Sequence, residues 1–224
     1  MAPDTRLTLF DLDHTLLAGD SDYGWGQFIV RHGLVDAADY EQRNAAFYAD
    51  YQAGRLDLVA YLEFSLEPLT RYSMDELAAW HRRFMVESIE PIMTAASHRL
   101  VGERLAAGDV VIIITSTNRF ITEPIARAYG VGNLIATDPE IRDGRFTGRV
   151  EGIPAFREGK VARLHDWLRA RGQRLDDFAQ SWFYSDSTND LPLLDVVTNP
   201  VAVDPDPGLR NIADTRGWPV ITLR

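Results

Sequence analysis

The run Val110-Val111-Ile112-Ile113-Ile114 constrains this chain more than any other stretch. Five consecutive β-branched residues leave no polar face, so the segment reads as a strand buried on both sides. Such a strand belongs in a sheet with helices packed on both faces. The rest of the chain supplies the other parts. Leu7-Thr8-Leu9-Phe10, Leu134-Ile135-Ala136-Thr137, Trp182-Phe183-Tyr184 and Val201-Ala202-Val203 are further short apolar runs, and Val220-Ile221-Thr222 is a short last one. Helical spacings lie between them. Ala95 to Ala107 is stopped by Gly108, a second helix runs through Ile121, Ile125, Ala126 and Tyr129 to Gly130, and Glu158 to Arg171 forms a third. Asp143-Gly144, between Ile141 and Phe146, signals a hairpin. The expected fold class is α/β, a doubly wound parallel sheet with a Rossmann-like core.

From about Gly24 to Phe84 the strand pattern stops. Trp25, Phe28 and Ile29 suit one helix; Phe47, Tyr48 and Tyr51 suit a second, ended by Gly54. Leu58, Tyr61, Leu62 and Leu66 suit a third, ended near Pro68. Ser73-Met74-Asp75-Glu76 reads as a capping box that starts a fourth helix through Leu77, Trp80 and Phe84. The expectation is an inserted all-helical cap domain over residues 19–89, with the core built from 1–18 and 90–224. A chain of 224 residues can bury one such core and a small second unit.

Charge and composition narrow the partners. A net charge of -10 argues against nucleic acid, whose phosphates need a basic surface. It leaves room for a phosphorylated small molecule if a divalent cation supplies positive charge locally. The chain has no cysteine, which excludes disulfides and thiolate metal sites. No apolar stretch is long enough for a membrane span, and Met1 to Arg6 lacks a signal-peptide pattern. A cytoplasmic monomer or homodimer without membrane contact is the expectation.

Polar residues gather where strands end, which is where open α/β sheets place their sites. Asp11 and Asp13 follow the first strand, and alternation would point them the same way with Leu12 turned from them. Two close carboxylates repel unless a cation or a shared proton relieves them. Thr115-Ser116-Thr117-Asn118 follows the β-branched strand, and Ser185-Asp186-Ser187-Thr188-Asn189-Asp190 follows Tyr184. Lys160 falls in the first turn of its helix, where a cation opposes the helix dipole and so suggests a functional duty.

In this order the set resembles the haloacid dehalogenase superfamily of phosphotransferases. Asp11, Asp13 and Thr15 match its first motif, Thr115 its second, Lys160 its third, and Asp186 and Asp190 its fourth, with Ser185 where the motif has glycine. The likeness spans nearly the whole chain and is closest to the phosphoserine-phosphatase-like subfamily, whose helical cap lies between the first and second motifs. Thr147 to Gly152 also resembles that subfamily's hairpin segment. The resemblance implies a phosphomonoester hydrolase working through an aspartyl-phosphate. Asp11 would be the nucleophile and Asp13 the general acid and base. Magnesium would be held by the Asp11 carboxylate, the Asp13 backbone carbonyl and the Asp186 carboxylate, with Asp190 orienting this set from behind. Thr115 and Lys160 would hold the phosphoryl oxygens, and Ser116 and Asn189 would reach the substrate.

The substrate is a matter for the cap. In phosphoserine phosphatases an acidic residue nine positions after the nucleophile binds the substrate amine. Here that residue is Asp20, with Asp22 nearby. The same enzymes use a cap arginine for the substrate carboxylate; the aligned position here is Ser65, Glu63 lies two residues earlier, and neither Arg55 nor Arg71 matches. The expected substrate is therefore an amino-alcohol phosphate such as histidinol phosphate, with phosphoserine as the alternative. Two other classes keep part of the pattern: a phosphotransferase with a different alcohol acceptor, and a phospho-aspartate signalling domain. The long cap and Asp13 disfavour the signalling domain. The helices of the cap are expected to move together as a lid, hinged at Gly19 and at Ile89 to Met93.

Overall fold

The β-branched run lies inside a seven-stranded sheet, beside its central strand. The computed structural model describes residues 5–52 and 55–224. Its strands are β1 (Arg6–Phe10), β2 (Val110–Asn118), β3 (Asn133–Arg142), β4 (Arg145–Glu151), β5 (Gln180–Ser185), β6 (Asn199–Val203) and β7 (Val220–Ile221), in the spatial order β4-β3-β2-β1-β5-β6-β7. Every pairing is parallel except β3–β4. That hairpin turns at Asp143 (φ 49°) and Gly144 (φ 73°), two consecutive left-handed residues, as the favoured two-residue turn requires. The parallel sheet thus carries one antiparallel edge strand.

Two strands outrun their apolar segments. β2 continues through its polar tail because Asn118 pairs with Thr137 after a register shift beyond Ile114. β3 continues to Arg142 because β4 pairs with that extension. The helices are α1 (Ser21–Arg31), α2 (Ala37–Gln52), α3 (Leu58–Leu66), α4 (Met74–Phe84), α5 (Ala95–Ala106), α6 (Arg119–Ala128), α7 (Glu158–Arg169), the single turn α8 (Leu191–Leu194) and α9 (Pro207–Arg216). Ser73 and Glu76 form the expected capping box. Gly108 and Gly130 adopt left-handed angles just past α5 and α6. The expected end of the second helix at Gly54 lies outside the described residues.

One hydrophobic cluster fills each face of the sheet. Leu7, Leu9, Ile112, Ile114 and Phe183 pack against Leu164 and Leu168 of α7. Phe10, Val111, Ile113 and Tyr184 pack with Ile121 and Ile125 of α6, and the same cluster takes in Trp25, Phe28, Leu77 and Phe84 of α1 and α4. His81 reinforces this join by a 2.9 Å contact from Nε2 to the Ile121 carbonyl. The inserted helices are not equivalent: α1, α3 and α4 give buried residues to the sheet's own apolar core, Leu66 being the α3 member, whereas among the described residues of α2 the partly buried Tyr40 alone packs against it. The chain leaves and re-enters the sheet side by side, with Leu17 bridged to Met93 and Ala18 N donating to Ile92 O at 2.8 Å.

Candidate active site

Register decides which strand ends meet. Phe10 is level with Ile113 of β2 and with Tyr184 of β5, and Asp11 N donates to Tyr184 O at 2.9 Å. Asp11, Thr115 and the segment from Ser185 therefore emerge together. The residues after Asp11 do not continue as a strand. Leu17 N donates to Leu12 O and His14 N to Gly19 O, both at 2.9 Å, and His14 takes a left-handed φ of 55°. This tight turn buries Leu12, Leu16 and Leu17 completely and gives Asp11 and Asp13 different partners.

Asp11 faces Lys160. The lysine is only 3% exposed, and its Nζ donates to Asp11 Oδ1 and to Asp190 Oδ2, each at 2.8 Å. Burial disfavours the ammonium, but Asp11 and Asp190 outweigh it and hold the Lys160 pKa above its ordinary value. For Asp11, burial dominates and raises the carboxyl well above the carboxylate range; Asp190 and Asp186 add to the rise and Lys160 opposes it. The carboxylates that crowd Asp11 are thus Asp190 and Asp186, while Asp20 crowds Asp13. The repulsion expected between Asp11 and Asp13 is not the leading one.

The placement of Lys160 depends on Gly159. A Cβ there would sit 2.1 Å from the Pro154 carbonyl oxygen, so only glycine lets the first turn of α7 approach that loop. Ser185 also has a defined task. Its buried hydroxyl donates to Asp190 Oδ2 at 2.7 Å and accepts from Ser187 N at 3.1 Å, tying the loop to the lysine's partner.

Asp13 is held from two sides. Ser21 N of α1 donates to its Oδ1 at 2.6 Å, and Thr117 Oγ1 of β2 donates to its Oδ2 at 2.7 Å. Burial, aided by Asp20, pushes its carboxyl up to about 6 against these two donors. Thr117 is a site residue that the sequence reading left without a role. The register shift in β2 aims it, and residue type alone carries no such signal. Thr115 is fully buried and its Oγ1 accepts from Thr117 N at 3.2 Å.

Thr15 joins the first and last motifs. Its Oγ1 is 2.9 Å from Asp186 Oδ1 and 3.4 Å from Asp11 Oδ2, and Asp186 N donates back to it at 3.0 Å. Burial raises the Asp186 carboxyl. Among the described residues no three acidic or imidazole side chains converge as a metal centre. The donor set expected for magnesium needs only two carboxylates, Asp11 and Asp186, with the Asp13 backbone carbonyl. The shared Thr15 hydroxyl brings those carboxylates together, and burial raises both. The residues fit a hard, oxygen-seeking cation.

The remaining expected residues divide. Ser116 is half-buried and its carbonyl accepts from Thr137 Oγ1 at 2.7 Å. Asn189 lies in the loop after β5, its Oδ1 accepting from Arg157 Nε at 3.0 Å. Asp20 caps α1 through Tyr23 N and lies 3.9 Å from His14 Nε2. Burial and then Asp22 raise its carboxyl. Asp22 accepts a hydrogen bond from the Tyr61 hydroxyl of α3, and burial pushes it up to about 6. Glu63 stands apart from Asp20 and Asp22. It is exposed and lines a cleft of about 700 Å³ with Arg43, Glu67 and Arg149, none of them a strand-end residue. Two positions along a helix rotate it roughly 200° from Tyr61, away from Asp22. Ser65 is buried, its hydroxyl donating to Leu62 O at 3.0 Å. Arg55 and Arg71 pair with Asp50 and Glu67.

The model of the haloacid dehalogenase-like hydrolases matches residues 8–195, which run from β1 past Asp190. The chain belongs to this family. The hydrolase is 48% identical over 220 residues to a histidinol-phosphatase of Neisseria meningitidis serogroup C (strain 8013), covering 98% of this chain and 99% of the relative. A crystal structure of a protein with unknown function from Bordetella pertussis Tohama I matches with a TM-score of 0.96 at 54% identity, over 99% of this chain and 100% of that one. A substrate-bound phosphoserine phosphatase matches with a TM-score of 0.68 at 18% identity, covering 99% and 94%, and so shares the fold. Family and relatives together make this hydrolase a phosphatase, a phosphoric monoester hydrolase.

Proposed function

We propose that this phosphatase hydrolyses an amino-alcohol phosphate, with histidinol phosphate as the substrate, through an aspartyl-phosphate on Asp11. The observation that carries the chemistry is the separation of the two carboxylates. Asp11 is gripped by Lys160, whereas Asp13 is held by Ser21 and Thr117 with its carboxyl near 6. A carboxyl with that pKa can both give and take a proton near neutral pH.

An Asp11 oxygen attacks phosphorus while the bond from phosphorus to the ester oxygen breaks. Asp13 gives its proton to that leaving oxygen. Asp13 then takes a proton from a water molecule, whose oxygen attacks the same phosphorus; phosphate departs and Asp11 is restored. Lys160 and Thr115 stabilise the phosphoryl oxygens as charge builds on them. Asp11, Asp186 and the Asp13 carbonyl would hold magnesium, which when bound supplies the positive charge that lets a carboxylate meet a phosphate dianion.

For the other end of the substrate the cap offers Asp20 and Asp22, and Ser65 is turned inward where an arginine would be needed for a carboxylate. The 48% identical histidinol-phosphatase supports the same choice. The test is phosphate release from histidinol phosphate, phosphoethanolamine, phosphoserine and p-nitrophenyl phosphate, with magnesium and with chelator. Asp11→Asn should abolish turnover. Asp20→Asn should raise KM for histidinol phosphate and spare p-nitrophenyl phosphate. A higher kcat/KM for phosphoserine would replace the substrate reading, full activity in chelator would remove the metal, and transfer to an alcohol without phosphate release would make the enzyme a transferase.

A further inference from the structure

The turn that carries both catalytic aspartates is held by a residue 210 positions away. Arg224 Nη2 donates to the His14 carbonyl at 2.5 Å, and Arg224 Nε lies 3.7 Å from Asp204 Oδ2. The guanidinium is itself held in place. Leu223 is buried, its N donates to the same Asp204 oxygen at 3.0 Å, and its carbonyl accepts from Thr94 Oγ1 at 2.7 Å. Asp204 in turn donates its N to Ile221 O at 3.0 Å. Thr94 caps α5 where the chain returns from the inserted helices. Arg224 thus spans from that return point, through a buried neighbour, to the first motif.

His14 is a non-glycine residue with φ 55°, a conformation that needs support from its surroundings. Its carbonyl begins the peptide that leads into Thr15. That peptide orients the Thr15 hydroxyl, which touches both Asp186 Oδ1 and Asp11 Oδ2. On the other side of His14 stands Asp13. Rotation of the His14 peptide would therefore disturb Asp11, Asp13 and Asp186 together. A planar guanidinium suits the position because its fork can meet a carbonyl and a carboxylate at once, which an ammonium on a flexible stem does less well.

We propose that Arg224 is a positioning residue for catalysis: by pinning the His14 carbonyl it fixes the left-handed turn that sets Asp11, Asp13 and Thr15. The proposal rests on the assignment of Asp11 and Asp13 above, and it acts on turnover rather than on substrate affinity. Misplacement of reacting groups by a fraction of an ångström lowers kcat while leaving contacts to the rest of the substrate in place.

The experiment compares Arg224→Ala, Arg224→Lys and a control, Arg210→Ala, which removes an exposed arginine paired with Asp214 on α9. Three readouts are taken: kcat and KM on p-nitrophenyl phosphate, the thermal midpoint, and amide hydrogen exchange at His14 and Leu17, whose N–H groups close the turn. Arg224→Ala should lower kcat about 10-fold with KM within about 2-fold, and should speed exchange at those two amides. Arg224→Lys should recover part of both effects, and Arg210→Ala should change neither. Folded Arg224→Ala protein with wild-type kcat overturns the proposal. So does a loss of kcat that only tracks the folded fraction, or one that comes without faster exchange at His14 and Leu17. If wild-type protein releases no phosphate, the functional reading fails, and the exchange readout still decides whether Arg224 holds the turn.

Discussion

Lys160→Met is the most demanding test of the site. The substitution keeps most of the buried volume and deletes the ammonium. In the native protein Nζ lies 2.8 Å from Asp11 Oδ1 and 2.7 Å from Asp190 Oδ1, with the lysine 3% exposed. Its removal leaves two buried carboxylates without their cation, which costs about 3–5 kcal/mol. An unfolding entropy of about 2.1 cal/mol/K per residue comes to about 470 cal/mol/K over 224 residues, so the midpoint should fall by about 6–11 °C. The loss has a pH signature. Asp11 is already raised by burial and restrained by Lys160, so without the lysine it rises further. A carboxyl whose folded pKa exceeds its unfolded value binds a proton preferentially in the folded state. That contribution is complete below the ordinary carboxyl range, near about 4, and is lost as pH rises through the folded pKa. The variant's deficit should therefore be larger at pH 7.5 than at pH 5. Thermal melts in chelator at both values test this for wild type, Lys160→Met, Asp190→Asn and the double variant. The double variant removes one orphaned charge and should melt above Lys160→Met. A Lys160→Met midpoint within about 2 °C of wild type at pH 7.5, or a double variant whose losses simply add, would refute the account.

Other parts of the molecule yield expectations of their own. Gly159→Ala places a methyl 2.1 Å from the Pro154 carbonyl, so it should destabilise by about 2 kcal/mol or more and displace Lys160, read by urea unfolding and by turnover. Asp22 has its carboxyl pushed up to about 6, so its share of stability is lost as pH rises from about 4 to about 6; Asp22→Asn should flatten stability across that window in urea titrations. A beryllium fluoride complex should change hydrogen exchange more in α2, which gives the sheet's cluster the partly buried Tyr40, than in α1, α3 and α4, which give it Trp25, Leu66 and Phe84. Equal changes in all four helices would support a lid that moves as one piece.

What the sequence revealed, it revealed through local rules. Val110 to Ile114 needed only its branching to be read as a strand buried within the sheet, Ser73 and Glu76 only their spacing, and Asp143-Gly144 only its turn chemistry. The motif residues were legible because a strand's end fixes where the next side chain emerges. What stayed hidden depends on contacts between distant segments. The reach of Thr117 to Asp13 follows from a register shift in β2, and the hold of Arg224 on His14 joins residues 210 apart. The direction of Glu63 was hidden for a different reason. A sequence shows that an acid lies in the third helix, but its direction depends on the helix's rotation, which Tyr61 settles by binding Asp22.

The distribution of charge explains why substrate choice should be sharp on the proposed reading. Asp11 and Asp190 share Lys160, while Asp13, Asp20, Asp22 and Asp186 are acids whose carboxyls burial raises without that lysine as a partner. The lysine therefore has little left with which to draw in a phosphate dianion, and on the proposed reading a bound cation would supply the rest at the strand-end pole. The cap pole works the other way. Asp20 and Asp22 favour a cation at the far end of the substrate, and Asp22 is released to it only if Tyr61 gives way. A unit charge about 5 Å from a carboxylate, at an effective dielectric of about 20, interacts by about 3 kcal/mol. Phosphoserine keeps the attractive amine but brings a carboxylate that meets this repulsion without an arginine to offset it. Histidinol phosphate keeps the amine and adds an imidazole. A preference on the order of 10²-fold in kcat/KM for histidinol phosphate over phosphoserine follows, and Asp22→Asn should shrink it mainly by improving phosphoserine. Should Asp22→Asn instead weaken both substrates equally, Asp22 would be supporting Tyr61 and the cap rather than sorting charges.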